Sequence, residues 1–162
     1  MFKNIYFATI EPINPVDRRD KNDIYLPCIE GVRVLFWSEN EKKISSIFKG
    51  FSRGRKKRYK RLFLRIEKEY ASNLTLESVL EEIPIGRNRF YKDFRKLTGT
   101  TFADYLLLLR AYMAGYLLLN STIPVEKVGY DCGFSTQSNF RKVIKDVYGM
   151  SPSEMRDDEL PR

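Results

Sequence analysis

A chain of 162 residues carries 29 Lys and Arg against 21 Asp and Glu, a net charge of +8, with 43% apolar residues. The apolar share is enough for a packed core and excludes global disorder; the charge favours an anionic partner, nucleic acid ahead of an acidic membrane surface. With no histidine and only two distant cysteines, Cys28 and Cys132, the chain is expected to hold no metal, to need no cofactor and to be no enzyme.

Cysteine usage fits a reducing cytoplasm. Lys3 and Asn4 interrupt any apolar leader, and the run Tyr105 to Leu109 is too short to span a bilayer before Arg110 closes it.

Residues 1–51 read as a small N-terminal segment. Ile5 to Ile10 and Val32 to Trp37 are rich in β-branched and aromatic residues and suggest short strands, a β-hairpin. Two strands alone are marginal and must lean on something else. Glu39 to Phe51 suits a short helix with Ile44, Ile47 and Phe48 inward. Residues 52–70 form a basic linker or helix. Seven of the ten residues Ser52 to Arg61 are Lys or Arg. The run reads as a solvated linker or helix start, or as a basic arm that touches phosphates. Leu62, Phe63, Ile66 and Tyr70 follow at helical spacing.

Within residues 71–158 the pattern becomes definite. Thr75 can cap a helix carrying Leu76, Val79 and Ile83. A turn at Pro84-Ile85-Gly86 leads into a helix with Phe90, Phe94 and Leu97 inward and Arg89, Lys92 and Lys96 outward, which Gly99 stops. This is a first helix-turn-helix, 75–97. Thr101 with Asp104 opens a linker helix, 102–119, apolar on several faces and so buried on several sides. A second helix-turn-helix, 124–147, turns at Gly133, takes Ser135 as N-cap, and places Phe140, Val143, Ile144 and Val147 on one face. Gln137, Ser138, Arg141, Lys142 and Lys145 line the other. Gly149 stops that helix, and Ser151-Pro152-Ser153-Glu154 opens another.

The two copies align. Phe90, Lys92, Phe94, Gly99, Thr101 and Asp104 recur fifty residues later as Phe140, Lys142, Ile144, Gly149, Ser151 and Glu154. Upstream of the turn the offset is forty-nine, pairing Leu76 with Val125 and Val79 with Val128. One extra residue therefore lies in the second turn or at the start of its second helix. A rod of roughly 24 Å between the copies would hold two outward helices near the ~34 Å spacing of successive major-groove faces.

Leu74 to Arg156 resembles the DNA-binding domain of AraC/XylS-family transcription regulators. The most specific pieces are Gly133-Phe134-Ser135, Gln137 to Phe140, Tyr148-Gly149 and Ser151 to Arg156. The first copy adds Leu74 to Glu77, Phe94 to Lys96 and Thr98-Gly99, and the linker adds Tyr105, Leu109 and Arg110. The resemblance implies a mainly α fold of seven helices, with two helix-turn-helix subdomains joined by a long linker helix. It also implies a sequence-specific regulator, an activator, that inserts two recognition helices into successive major grooves. Base readers by position are Asn88, Tyr91 and Lys92, then Gln137, Ser138, Arg141 and Lys142; Arg89, Arg95, Asn139 and Lys145 suit phosphates. Partners implied are double-stranded DNA, RNA polymerase or a co-regulator, and a second copy of the chain, with no membrane.

The first copy departs from the family. Leu80 stands where a small alanine is usual, Pro84 replaces the turn glycine and cannot adopt positive φ, and Gly86 replaces the serine cap. Its turn must differ locally. These departures keep open an alternative: a protein-interaction module that pairs with another regulator and reads little DNA itself. About seventy residues precede the motif, fewer than the effector-binding barrel of the family requires.

Overall fold

The computed structural model describes residues 47–157. The expected strands and most of the helix expected from Glu39 to Phe51 lie outside that range. Among the described residues there are seven helices and no strand: α1 Arg53–Glu69, α2 Leu76–Glu82, α3 Arg87–Thr98, α4 Phe102–Asn120, α5 Val125–Asp131, α6 Gln137–Tyr148 and α7 Pro152–Asp157.

The basic run is the opening of a packed helix. The Ser52 hydroxyl accepts from the Arg55 amide at 3.4 Å. Beneath the cations Tyr59, Leu62, Phe63 and Ile66 are buried, so the run is neither a free linker nor a detached arm. Tyr59 stacks on Phe90 and Phe63 on Phe94, with centroids 6.2 and 5.8 Å apart. Phe102 and Tyr105 of α4 meet Phe94 edge-on. The first unit thus has an aromatic core built from α1, α3 and α4. The second unit packs Val128, Cys132, Phe134, Phe140, Val143, Ile144 and Met155 instead.

Helix ends follow local chemistry. Thr75 and Ser78 form a reciprocal capping box on α2. Thr101 accepts from the Asp104 amide at 3.2 Å, and Ser151 and Glu154 exchange hydrogen bonds at 2.6 and 3.3 Å. That amide-to-carboxylate bond, with the Ser151 hydroxyl second, holds the Glu154 carboxyl below its ordinary pKa. Gly99 and Gly149 end α3 and α6 at φ of 82° and 75°.

The two turns differ as the proline demands. In the first, Ile83 leaves α2 in an extended conformation at φ −105°, and Gly86 supplies α3 with no side-chain cap. In the second, Gly133 takes φ +85°. The N-cap of α6 is Thr136, not Ser135; its hydroxyl accepts from the Asn139 amide at 3.2 Å. Phe134 is drawn into the core against Phe140, with centroids 5.2 Å apart, and that contact sets the register of the residues after it. With Thr136 as cap, Gly86 and Thr136 also stand fifty apart. The extra residue therefore lies in the second turn.

α1 reaches both units. Its outgoing loop passes over α4, where Arg110 donates to the carbonyls of Tyr70 and Ser72 at 2.7 and 2.8 Å. The same loop lies against the second turn: a Cβ on Gly133 would stand 2.6 Å from the Ala71 carbonyl oxygen. Burial, then the nearby Cys132 and Asp131, push the Tyr70 phenol up to about 12. α4 lies within Arg87–Asn120, a stretch long and apolar enough to cross a membrane, yet more than half of its most apolar part is buried inside the protein.

Candidate nucleic-acid interface

α3 and α6 present matched faces. Each is twelve residues long and each buries a phenylalanine at its fourth position, Phe90 or Phe140. On α3, Asn88, Arg89, Tyr91, Lys92 and Arg95 are all exposed. Among the described residues, the side chains of Asn88, Lys92 and Arg95 make no hydrogen bond or ion pair. Tyr91 is 44% exposed, its ring edge against Phe90. Arg89 is held by Asp93 at 3.1 Å.

On α6, Ser138, Asn139, Arg141, Lys142 and Lys145 are exposed. Lys142 pairs with Asp146 at 2.6 Å along the helix. Arg141 lies 3.6 Å from Glu126 of α5, an exposed pair that holds its guanidinium only weakly.

Gln137 departs from the outward placement expected of it. It is half-buried, and its Nε2 donates to the Glu126 carbonyl at 2.8 Å. As the first residue of α6 its side chain leans back over the preceding helix, as helical side chains do. Gly129 makes room there: a Cβ would stand 2.8 Å from Phe140 and 3.2 Å from Gln137 Nε2.

A helix-turn-helix domain family matches residues 79–158. The Msm operon regulatory protein of Streptococcus mutans is 32% identical over 91 residues, 56% of this chain and 33% of that one. The transcriptional activator RhaS of Escherichia coli is 28% identical over the same length and shares. The C-terminal half of this chain is a helix-turn-helix domain similar to those of AraC/XylS-type regulators. The chain spans about a third of the length of these curated relatives. The C-terminal domain of AraT, a response regulator from Geobacillus stearothermophilus, superposes with a TM-score of 0.56 at 27% identity, covering 61% of this chain and 83% of that one. The DNA-binding domain of AdpA, solved with a target DNA, shares the fold at a TM-score of 0.58 and 24% identity, over 60% of this chain and 88% of that one.

Two features of this helix-turn-helix domain were not apparent from residue spacing alone. Glu77 and Glu126 are each the second residue of their helix, forty-nine apart, and each faces the start of the helix that follows. Glu77 meets Arg87 at 3.4 Å; Glu126 meets Arg141. Aligning acidic positions as well as apolar ones would have found this echo. Asp93 is the other: 5% exposed on α3, it also lies 3.5 Å from Arg55 of α1. Nothing in the sequence connects residues so far apart.

Proposed function

We propose that this chain is a sequence-specific, DNA-binding transcription regulator that reads duplex DNA with α3 and α6 in successive major grooves. The observation that carries this is the pair of equal helices in matched register, each with exposed polar and cationic side chains opposite its buried phenylalanine. Asn88, Tyr91 and Lys92 of α3 and Ser138, Arg141 and Lys142 of α6 are the base readers. Gln or Asn suits adenine and Arg or Lys suits guanine. Arg95, Asn139 and Lys145 hold phosphates. Gln137 acts through the backbone of α5 that it grips. α4 serves as the rod that sets the spacing, about 28 Å for its nineteen residues.

Activation is the regulatory sense that the named activator RhaS favours. It requires contact with RNA polymerase or a co-regulator, in the cytoplasm where the DNA lies. Residues 1–51 are the segment we assign to such contacts or to pairing of two copies; 52–70 and 71–158 are the basic helix and the reading domain.

Selection of bound sequences from random duplexes by the full chain, near physiological salt, tests the reading. Two preferred blocks about one helical turn apart are expected. A single block would remove α3 from base reading. Salt-sensitive binding without enrichment would replace the proposal with a partner-dependent module.

A further inference from the structure

We propose that Asp93 is a positioning residue whose buried carboxylate sets Arg89 of α3 and Arg55 of α1 as a two-guanidinium clamp on one DNA phosphate beside the groove α3 enters. This rests on the reading above. The fold does not require an acid here: the matching position of the second unit is Val143, buried among apolar side chains. A buried carboxylate is costly unless cations meet it. Arg89 Nε reaches Asp93 Oδ1 at 3.1 Å, and Arg55 Nη1 lies 3.5 Å from Oδ2.

The geometry leaves the phosphate-binding edge of Arg89 available. Held through Nε, its guanidinium keeps both terminal amino groups for a phosphate, and its side chain is 57% exposed. Arg55 is fixed further by donating to the Gly50 carbonyl at 3.3 Å and by lying over the Phe51 ring at 4.7 Å. Lys96 of α3 approaches that same ring at 5.2 Å. Two guanidiniums from two helices thus meet one carboxylate, with Lys96 beside the ring that Arg55 covers, an excess of positive charge that an anion would balance. Arg89 precedes Lys92 by three residues, so the cluster borders the face offered to bases.

A second observation points the same way. Asp93 Oδ2, Arg55 Nε and the Tyr59 hydroxyl are buried without a hydrogen bond. Burial, then the Asp93 carboxylate, pushes the Tyr59 phenol upward. Buried polar atoms that meet only through a 3.5 Å ion pair and the field of one carboxylate call for an explanation beyond packing.

The test is equilibrium binding of the full chain to a selected duplex and to random duplex across salt concentrations. Variants are Asp93→Asn, Asp93→Val, Arg89→Ala, Arg55→Ala and Lys92→Ala, with melting temperatures checked. Removing a negative charge near DNA should, by charge alone, tighten all binding. Positioning predicts the opposite: Asp93→Asn weakens selected and random duplex alike by about tenfold. Arg89→Ala and Arg55→Ala each lower the salt slope by about one, and Asp93→Asn adds little to Arg89→Ala. Asp93→Val, which restores the apolar residue of the second unit, must weaken binding too. Tighter or unchanged binding in both Asp93 variants, with Lys92→Ala still weakened, overturns the clamp alone. A shift of preference at one base in Arg89→Ala makes Arg89 a base reader and also overturns it. No effect of either Lys92→Ala or Arg89→Ala removes α3 from the DNA, and both proposals fall together.

Discussion

Replacing Gly133 by alanine should cost far more than the same change at Gly149. Both glycines hold positive φ, +85° and +75°. For alanine that backbone conformation costs roughly 1–2 kcal/mol. At Gly149 nothing lies within 4 Å of the added methyl, so the conformational cost is the whole effect. At Gly133 the methyl would meet backbone: Ala71 O at 2.6 Å, Cα at 2.8 Å and C at 2.9 Å. Relief requires that loop to retreat by about 0.8 Å, and it is pinned on either side of Ala71 by the Arg110 bonds to Tyr70 and Ser72. Overpacking of that kind adds roughly 1–3 kcal/mol, for a total of about 2–5 kcal/mol. At about 4 °C per kcal/mol for a domain of this size, Gly133→Ala should melt roughly 8–20 °C lower and Gly149→Ala about 4–8 °C lower. Thermal unfolding by circular dichroism reads both. Equal losses in the two variants would refute the close approach of the 70–73 loop to the second turn.

Gly129→Ala should lower stability by about 1 kcal/mol although alanine is the better helix former, because its methyl would press on the buried Phe140 ring; a higher melting temperature would contradict that contact. Glu154 has its folded-state pKa depressed, so its stabilisation is present above the unfolded glutamate pKa and lost as pH falls through the folded one. Glu154→Gln should therefore melt below wild type at pH 7 and converge with it only in acid, once the pH has fallen through the depressed folded-state pKa; a pH-independent gap would show that the charge is not the cause. Burial pushes the Cys132 thiol up from 9.0 to about 12, leaving about a thousandfold less thiolate than an ordinary thiol. In a Cys28→Ser background, labelling at pH 8 should be slow in the folded protein and fast in denaturant; rapid native labelling would place Cys132 near the surface. Arg141→Ala should relax base preference at one position of the selected site by about 1–3 kcal/mol, and equal losses on selected and random duplex would make Arg141 a phosphate contact.

The parts of this domain that could be read from the sequence are those that depend on near neighbours. Thr75, Gly99, Thr101, Gly149 and the Ser151–Glu154 box were apparent because a cap bonds residues three or four apart. The cores of α3 and α6 were legible because phenylalanine and isoleucine recur at helical spacing. Ser135 and Thr136 are chemically equivalent as caps, and only the tertiary contact of Phe134 with Phe140 chooses between them. Gln137 is polar and lies near an outward face by periodicity, but a first-turn side chain leans toward the helix before it. Asp93 and Arg55 meet because α1 stacks on α3, and a charge run gives no sign of which cation will find a buried carboxylate. Whether these side chains touch bases is a property of a complex, and spacing within one chain does not encode it.

The loop after α1 has a consequence for how the domain comes apart. Tandem units on a common rod would be free to melt one at a time if the rod were all they shared. Here α1 stacks on the first unit while its outgoing loop, gripped by Arg110, lies against the turn of the second. Opening either unit disturbs a surface belonging to the other. The slowest-exchanging amides of α1, α3, α4 and α6 should then share one opening free energy and behave as a single cooperative block, with graded protection confined to the helix ends.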